Sequence, residues 1–220
     1  AGGISSGIYT TDSAAQVKYL VNDSKTKFYF AENEEQLDKI LEVRNECPSL
    51  KKIIVYDMEG LNDFKDDQVL SYEEFIQLGK KLDSDQPDLW LQSINSVEAD
   101  DIAILVYTSG TTGPSKGAMI NHKNLLYSVN TGVEIFEARE HEEQLSFLPL
   151  CHILERSVSV MFPLKTGAVV NFAESIDTVP ENIREVSPTV FVAVPRIWEK
   201  FYSSITILMK DATFIGRYFY

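Results

Sequence analysis

The chain has 220 residues, of which 44% are hydrophobic and 24% are charged, a composition that excludes a wholly disordered protein. The net charge is −13, and residues 57–101 contribute −10 of it through thirteen acidic residues and three lysines. This balance argues against a nucleic-acid-binding protein, and we interpret the acidic stretch as a solvated face rather than a docking patch.

Cysteine content and hydropathy indicate a reduced, cytoplasmic protein. The two cysteines, Cys47 and Cys151, form no CxxC pair. No apolar run approaches the roughly 18 residues of a membrane-spanning helix. The first residues, AGGISSGIYTT, contain neither a signal peptide nor an initiator Met, so we expect the chain to begin inside a larger protein.

Strand and helix patterns alternate through the first part of the chain. Two capping boxes, Ser13 with Gln16 and Ser71 with Glu74, mark helix starts. The spacing of about 25–30 residues per unit is typical of βαβ units in a parallel sheet. The predicted strands cover 4–9, 26–32 and 51–57, and the predicted helices 13–23, 34–47 and 71–82.

Residues 83–100 are polar and acidic, which indicates a connector. Trp90 and Leu91 are its large apolar residues, and we expect them to attach it to the body of the protein. We therefore predict two subdomains, residues 1–100 and residues 101–220.

The alternation continues after residue 100. The run at 101–109 is continuously apolar, as in the interior of a parallel sheet. The fold class that we predict is α/β, with mostly parallel sheets flanked by helices. Further strands are predicted at 144–150, 168–174 and 189–194, and helices at 121–136, 152–164, 178–188 and 195–213.

The stretch YTSGTTGPSKG, residues 107–117, follows this strand directly. Its glycines let the backbone approach an anion, its hydroxyl groups donate hydrogen bonds, and its lysine adds a positive charge. Ligands in open α/β sheets bind at the carboxyl ends of strands. The sequence therefore predicts a phosphate site, although Gly, Ser, Thr and Pro also make ordinary turns. The stretch matches neither a Walker A loop nor the GxGxxG dinucleotide pattern.

This loop resembles the signature loop of the adenylate-forming superfamily, although its proline lies one place earlier than usual. LPLCHILER (148–156) and VPRIWEKF (194–201) resemble motifs of long-chain acyl-CoA synthetases. AGGISSGIYTT (1–11) resembles a segment of the bubblegum-type group. The resemblance covers essentially the whole chain and implies part of an adenylate-forming amino-terminal domain.

The resemblance implies a long-chain fatty-acid–CoA ligase, an acid–thiol ligase of fatty acid metabolism that uses ATP, Mg²⁺ and coenzyme A. A fatty-acid carboxylate attacks the α-phosphate of ATP and expels pyrophosphate, and the thiol of coenzyme A then attacks the acyl-adenylate. The loop would hold the β- and γ-phosphates, with Thr108 also placing Mg²⁺. By motif position the phosphate-binding residues are Thr108, Ser109, Gly110, Thr111, Thr112, Gly113, Lys116 and Gly117.

Two further residues have both a functional and a structural interpretation. His152 matches a position near the acyl and α-phosphate region, or it caps the helix at 152–164. Trp198 matches a gating residue of the acyl tunnel, or it is a core aromatic. We do not expect Cys151 and His152 to form a catalytic dyad, because adjacent residues of an extended segment point to opposite sides. Glu155 and Arg156 are assigned structural roles.

Several family elements are missing from these 220 residues. No Tyr-Gly-x-Thr-Glu and no Thr-Gly-Asp is present, and there is no room for the carboxy-terminal domain with its catalytic lysine. We therefore expect this part of the enzyme to be inactive alone. Its expected partners are small-molecule substrates and the rest of its own enzyme. For that whole enzyme, peripheral membrane contact is a further expectation. A ligase for aryl or amino acids and a non-catalytic nucleotide-binding module are the alternatives.

Overall fold

A computed structural model describes residues 2–108, 113–139 and 141–211. The chain divides into two compact units. Unit 1 comprises Ala1–Phe136 and Leu148–Ser157, and unit 2 comprises Glu137–Phe147 and Val158–Tyr220. The predicted division at residue 100 stays a prediction, and the compact units do not follow it.

Unit 1 contains two three-stranded sheets and six described helices. Its strands are β1 (Ser5–Ser6), β2 (Phe28–Ala31), β3 (Lys52–Val55), β4 (Val69–Ser71), β5 (Ile102–Thr108) and β6 (Lys116–Asn121). Its helices are α1 (Ala14–Asp23), α2 (Glu34–Val43), α3 (Tyr72–Asp85), α4 (Leu89–Asn95), α5 (His122–Ile135) and α6 (Ile153–Arg156), with a 3-10 turn at Arg44–Glu46.

The sheet β2-β3-β4 is wholly parallel and forms one side of the main core. Each of its first two strands alternates with an amphipathic helix, so that apolar side chains of α1 and α2 meet those of β2 and β3. The side chains of Leu37, Ile40 and Ile53 are fully buried there. Both predicted capping boxes are confirmed, at Ser13 with Gln16 and at Ser71 with Glu74.

The second sheet of unit 1 has the order β1-β5-β6 and positions the candidate site. Strand β5 lies at its centre, parallel to β1 and antiparallel to β6. The segment 116–121 was not predicted as a strand, because KGAMIN lacks the alternation of a half-buried strand. The glycine-rich loop therefore belongs to a β-hairpin and does not lead directly from a strand into a helix.

Unit 2 contains the parallel pair β7 (Glu143–Ser146) and β8 (Val169–Phe172). Its helices are α7 (Phe162–Thr166), α8 (Val179–Val186) and α9 (Pro195–Asp211), and a π-helical segment, Ser157–Met161, precedes α7. The predicted helix at 152–164 is thus divided into α6, the π-helical segment and α7. Pro163 explains the division, because it lacks an N–H and fits only within the first turn of α7.

Two sequence predictions are wrong. Residues 189–194 form no strand but a single parallel bridge between Val190 and Gln144, and the flanking Pro188 and Pro195 cannot donate ladder hydrogen bonds. Trp90 and Leu91 do not attach the connector to the body, because they lie on the surface helix α4 with 59% and 58% of their areas exposed.

The α/β fold class with mostly parallel pairing is confirmed: four of the five strand pairs in the described residues are parallel. Within those residues, no helix combines the length and hydropathy needed to cross a bilayer.

Candidate functional site

The β5–β6 hairpin brings the two ends of the predicted phosphate loop opposite each other. In its register Thr108 pairs with Lys116 and Tyr107 pairs with Gly117. Both Thr108 and Lys116 are exposed. Gly113 has a φ of +96°, a conformation that favours glycine, so the loop needs glycine at this point. The predicted ligands Ser109, Gly110, Thr111 and Thr112 lie outside the described residues.

A cleft of about 720 Å³ opens beside this hairpin within unit 1. Because β1 and β5 are parallel neighbours, the segments that follow them meet at the same edge of the sheet. The segment before α6 contributes the third wall. The lining residues used below are Tyr9, Asp12, Tyr19, Tyr107, Thr108, Gly113, Ser115, Cys151 and His152.

His152 is both a helix cap and a residue of the cleft. Its Nδ1 accepts a hydrogen bond from the backbone N–H of Leu154 at 3.2 Å, which confirms the capping interpretation. A neutral imidazole whose Nδ1 accepts carries its proton on Nε2. His152 therefore has one nitrogen occupied by the cap and one N–H donor left for other partners.

Cys151 is unsuited to act as a nucleophile here. Burial raises the pKa of its thiol, and a hydrogen bond from Tyr9 offsets that increase only in part. A thiol that stays protonated is neither a good nucleophile nor a metal ligand. The expectation that Cys151 and His152 form no catalytic dyad stays a prediction.

Three residues of the cleft were missed in the sequence: Tyr9, Asp12 and Tyr19. Asp12 accepts a hydrogen bond from the backbone N–H of Tyr9 at 3.2 Å and places a carboxylate in the cleft. Tyr19 donates its hydroxyl to the carbonyl oxygen of Ser115 at 2.7 Å. No local motif marks these residues, because they reach the cleft through the pairing of β1 with β5.

The cleft has one carboxylate in its described lining and a lysine beside that lining. Its described lining contains the carboxylate of Asp12 and no lysine or arginine. Lys116 lies next to the lining residue Ser115 and makes no ion pair within residues 2–108, 113–139 and 141–211. In that same part of the chain, no group of three His, Cys, Asp or Glu side chains is placed to hold a metal ion.

Arg156 has the structural role that we expected. Its Nη1 donates to the hydroxyl of Ser5 at 2.7 Å, and its Nε donates to the carbonyl oxygen of Leu150 at 3.0 Å. These bonds connect α6 with β1 and with the segment before α6. Glu155, its neighbour, is buried.

Trp198 belongs to unit 2 and is half exposed, so it is not a core aromatic. Its indole N–H donates to the carbonyl oxygen of Ala193 at 3.2 Å. Its ring meets those of Phe191 and Phe201 edge to face, at centroid distances of 5.5 and 6.0 Å. The indole is thus held at the surface of an aromatic cluster.

A family model and several known relatives match nearly the whole chain. The model of the family described as AMP-binding enzyme matches residues 1–214. The long-chain-fatty-acid–CoA ligase ACSBG2 of Homo sapiens is 37% identical over 211 residues, which cover 93% of this chain and 31% of that protein. The ACSBG2 of Xenopus laevis is 35% identical and covers 99% of this chain and 30% of that protein.

Solved structures share the fold. An anthranilate CoA ligase, AuaEII, in complex with anthranoyl-AMP aligns with a TM-score of 0.70 at 24% identity, over 89% of this chain and 36% of that chain. ATP-bound MatB from Rhodopseudomonas palustris aligns with a TM-score of 0.63 at 21% identity, over 91% of this chain and 36% of that chain. The chain thus spans about a third of the length of the proteins that it matches.

Proposed function

The chain belongs to the family of AMP-binding enzymes, and from this we propose that it forms the phosphate-binding part of a long-chain fatty-acid–CoA ligase. In that reaction a fatty-acid carboxylate attacks the α-phosphorus of ATP and pyrophosphate leaves. The thiol of coenzyme A then attacks the acyl-adenylate and AMP leaves. The similarity to two fatty-acid–CoA ligases over 93% and 99% of the chain supports this substrate class.

The observation that carries the proposal is the register of the hairpin. Thr108 and Lys116 lie opposite each other at the two ends of a loop of glycines and hydroxyl residues. A polyphosphate would receive backbone N–H groups from the loop, hydroxyl groups from Thr108 and its neighbours, and the charge of Lys116. We assign the β- and γ-phosphates to Thr108, Ser109, Gly110, Thr111, Thr112, Gly113, Lys116 and Gly117.

The residues beside the loop supply few oxygen ligands for Mg²⁺. They suit a bound ion whose coordination shell is completed by the phosphates of the substrate. Mg²⁺ takes oxygen ligands and usually keeps waters, binding through substrate phosphates. Thr108 has an exposed hydroxyl at the end of β5, and Asp12 adds a carboxylate in the same cleft. When bound, Mg²⁺ would offset charge on the phosphates. Thr108 is the protein ligand that we propose.

His152 and Trp198 receive separate roles. The Nε2–H of His152 is proposed to donate to an oxygen of the substrate carboxylate or the α-phosphate, because the cap already occupies Nδ1. Trp198 is proposed to gate the acyl tunnel. Its half-exposed indole on an aromatic cluster suits contact with an alkyl chain.

We further propose that the remainder of the enzyme is a partner of this chain. Unit 1 exposes a row of contacting aromatic rings from β2, from just after β3 and from the start of α3, and such patches mark contact surfaces. Its members are Phe30, Tyr56, Tyr72 and Phe75. The free thiols of Cys47 and Cys151 support a cytoplasmic location. Peripheral membrane contact stays a prediction.

Fatty-acid-dependent ATP–pyrophosphate exchange tests the proposed function. We expect exchange from a full-length protein that contains this chain, and none from the 220 residues alone. Exchange by the isolated chain would contradict its role as one part of the site. Exchange that depends on an aryl or amino acid and ignores fatty acids would favour the other class of ligase.

A further inference from the structure

Helix α1 holds both arms of the β5–β6 hairpin through two tyrosine hydroxyl groups. Tyr19 donates to the carbonyl oxygen of Ser115, just before β6, at 2.7 Å. Tyr107, on β5, donates to the carboxylate of Asp23 at 2.7 Å. Helix α1 is the donor in the first bond and the acceptor in the second. Together the two bonds connect the helix to each end of the phosphate loop.

The helix is a fixed support for these bonds. Tyr19 and Asp23 are four residues apart and therefore lie on the same face of α1. Val17 and Val21 anchor the helix in the main core with 1% and 0% of their areas exposed. A contact made to Tyr19 or Asp23 is thus a contact to a helix that is anchored in the main core.

The ring of Tyr107 also lies against the opposite strand. A Cβ atom added to Gly117 would meet the Cζ of Tyr107 at 3.1 Å, so glycine leaves the room that the ring occupies. Burial, followed by the hydrogen bond to Asp23, raises the pKa of Tyr107 above its ordinary value. The ring of Tyr107, a residue of β5, therefore packs against β6.

We propose that Tyr19 and Tyr107, with Asp23, are positioning residues that hold the two ends of the loop, at Thr108 and Ser115, in place for a polyphosphate. The inference rests on the proposed function. Ordering a binding segment costs conformational entropy, and ends that are already fixed reduce that cost. None of the three side chains needs to touch the phosphates.

The variants Tyr19→Phe and Tyr107→Phe each remove one hydroxyl donor and keep the aromatic ring. We expect faster amide hydrogen exchange at residues 113–118 and roughly threefold to tenfold weaker binding of inorganic tripolyphosphate, measured by NMR titration of the 220-residue chain. Tyr127→Phe is the matched control, because Tyr127 is 72% exposed on α5, and it should change neither quantity. Asp23→Ala removes the acceptor of Tyr107 and should weaken binding as much as Tyr107→Phe does.

The outcomes separate two failures. Unchanged tripolyphosphate affinity in Tyr19→Phe and Tyr107→Phe, with normal binding by the wild type, would overturn the positioning role alone. A wild type that binds no tripolyphosphate would contradict the proposed phosphate site, and the positioning role with it. A loss in Tyr107→Phe without any loss in Asp23→Ala would show that the hydrogen bond between these two residues is not the cause.

Discussion

Among the glycines that the structure describes, Gly7 leaves the least room for a side chain, because it lies against Cys151. A Cβ atom at position 7 would lie 2.5 Å from the Cβ of Cys151 and 2.6 Å from its Cα, distances that real Cβ atoms do not show. Neither of these atoms belongs to the far end of a flexible side chain. The segment after β1 can therefore lie against the wall of the cleft only if residue 7 lacks a side chain.

Gly7→Ala should lower the free energy of unfolding by about 1–3 kcal/mol, because the backbone must shift to admit the methyl group. Urea unfolding measures this. The control is Gly79→Ala, in the interior of α3, where an added Cβ meets no atom within 4 Å. That variant should gain about 0.5–1 kcal/mol from helix propensity. Equal stability of both variants would contradict the close contact.

Asp66 gives a pH dependence whose sign follows from its contacts. Its carboxylate accepts the backbone N–H of Gln68 at 2.8 Å and Nη1 of Arg44 at 2.6 Å. The backbone hydrogen bond from Gln68, followed by the one from Arg44, lowers the pKa of Asp66 below its usual value. The stabilisation is therefore complete above the unfolded pKa of about 3.9 and is lost as the pH falls through the folded pKa.

We expect Asp66→Asn to be less stable than the wild type by a constant margin between about pH 7 and pH 5. Below about pH 4 the margin should shrink, because the wild-type carboxylate becomes protonated. Urea unfolding of both proteins across this range provides the measurement. A margin that stays constant down to pH 3 would mean that the ionised form of Asp66 contributes nothing.

Among the elements, helix starts are encoded locally. Asn121 ends β6 and caps α5: its side chain accepts the backbone N–H of Asn124 at 2.8 Å, and the side chain of Asn124 accepts the N–H of Asn121 at 3.3 Å. This capping box sets the boundary between the hairpin and α5. The exposed Asn130 lies further along the same helix and makes no comparable cap.

Asn121→Ala should destabilise the protein by about 1 kcal/mol, the usual effect of removing a cap. Asn130→Ala is the matched control, and it should be neutral or slightly stabilising, because alanine has the higher helix propensity. Thermal unfolding followed by circular dichroism compares the two. If Asn130→Ala is the more destabilising variant, the Asn121 cap does not make the expected contribution to the stability of α5.

Elements that depend on distant partners could not be predicted from local patterns. The capping boxes at Ser13 and Ser71 were predictable because both partners lie within four residues. Strand β6 forms because β5 pairs with it, and its own residues show no strand pattern. Conversely, residues 189–194 have a strand composition but form only the bridge from Val190 to Gln144.

The same distinction applies to the site. The local motif predicted Thr108, Gly113 and Lys116, and the hairpin and cleft bring the first two together with His152. Tyr9, Asp12 and Tyr19 were not predictable from the motif, because they reach the cleft only through the pairing of β1 with β5. The roles of Lys116 and Trp198 remain predictions.

At the scale of the whole molecule, the two units have unequal cores. The continuous cluster of buried apolar side chains lies within residues 17–61 and so belongs to unit 1. In the described part of unit 2, the buried apolar residues are fewer: Leu145, Phe162, Ala168, Val179 and Ile197. Because burial of apolar area dominates stability, unit 2 should be the less stable unit.

The two tryptophans report on the units separately, since Trp90 lies in unit 1 and Trp198 in unit 2. The variant Trp90→Phe retains only Trp198, and the variant Trp198→Phe retains only Trp90. In urea, the fluorescence of the first variant should change at a lower urea concentration than that of the second. Circular dichroism of both variants controls for altered stability. Coincident fluorescence transitions would instead indicate a single cooperative unit.

The most direct test of the central claim is where a polyphosphate binds. In an NMR titration of the 220-residue chain with inorganic tripolyphosphate, the largest amide shifts should fall within residues 108–117. Lys116→Ala should abolish them, whereas Lys123→Ala, which removes an exposed lysine of α5, should leave them intact. Shifts that lie elsewhere, or that persist unchanged in Lys116→Ala, would contradict the assignment of this loop as the phosphate site.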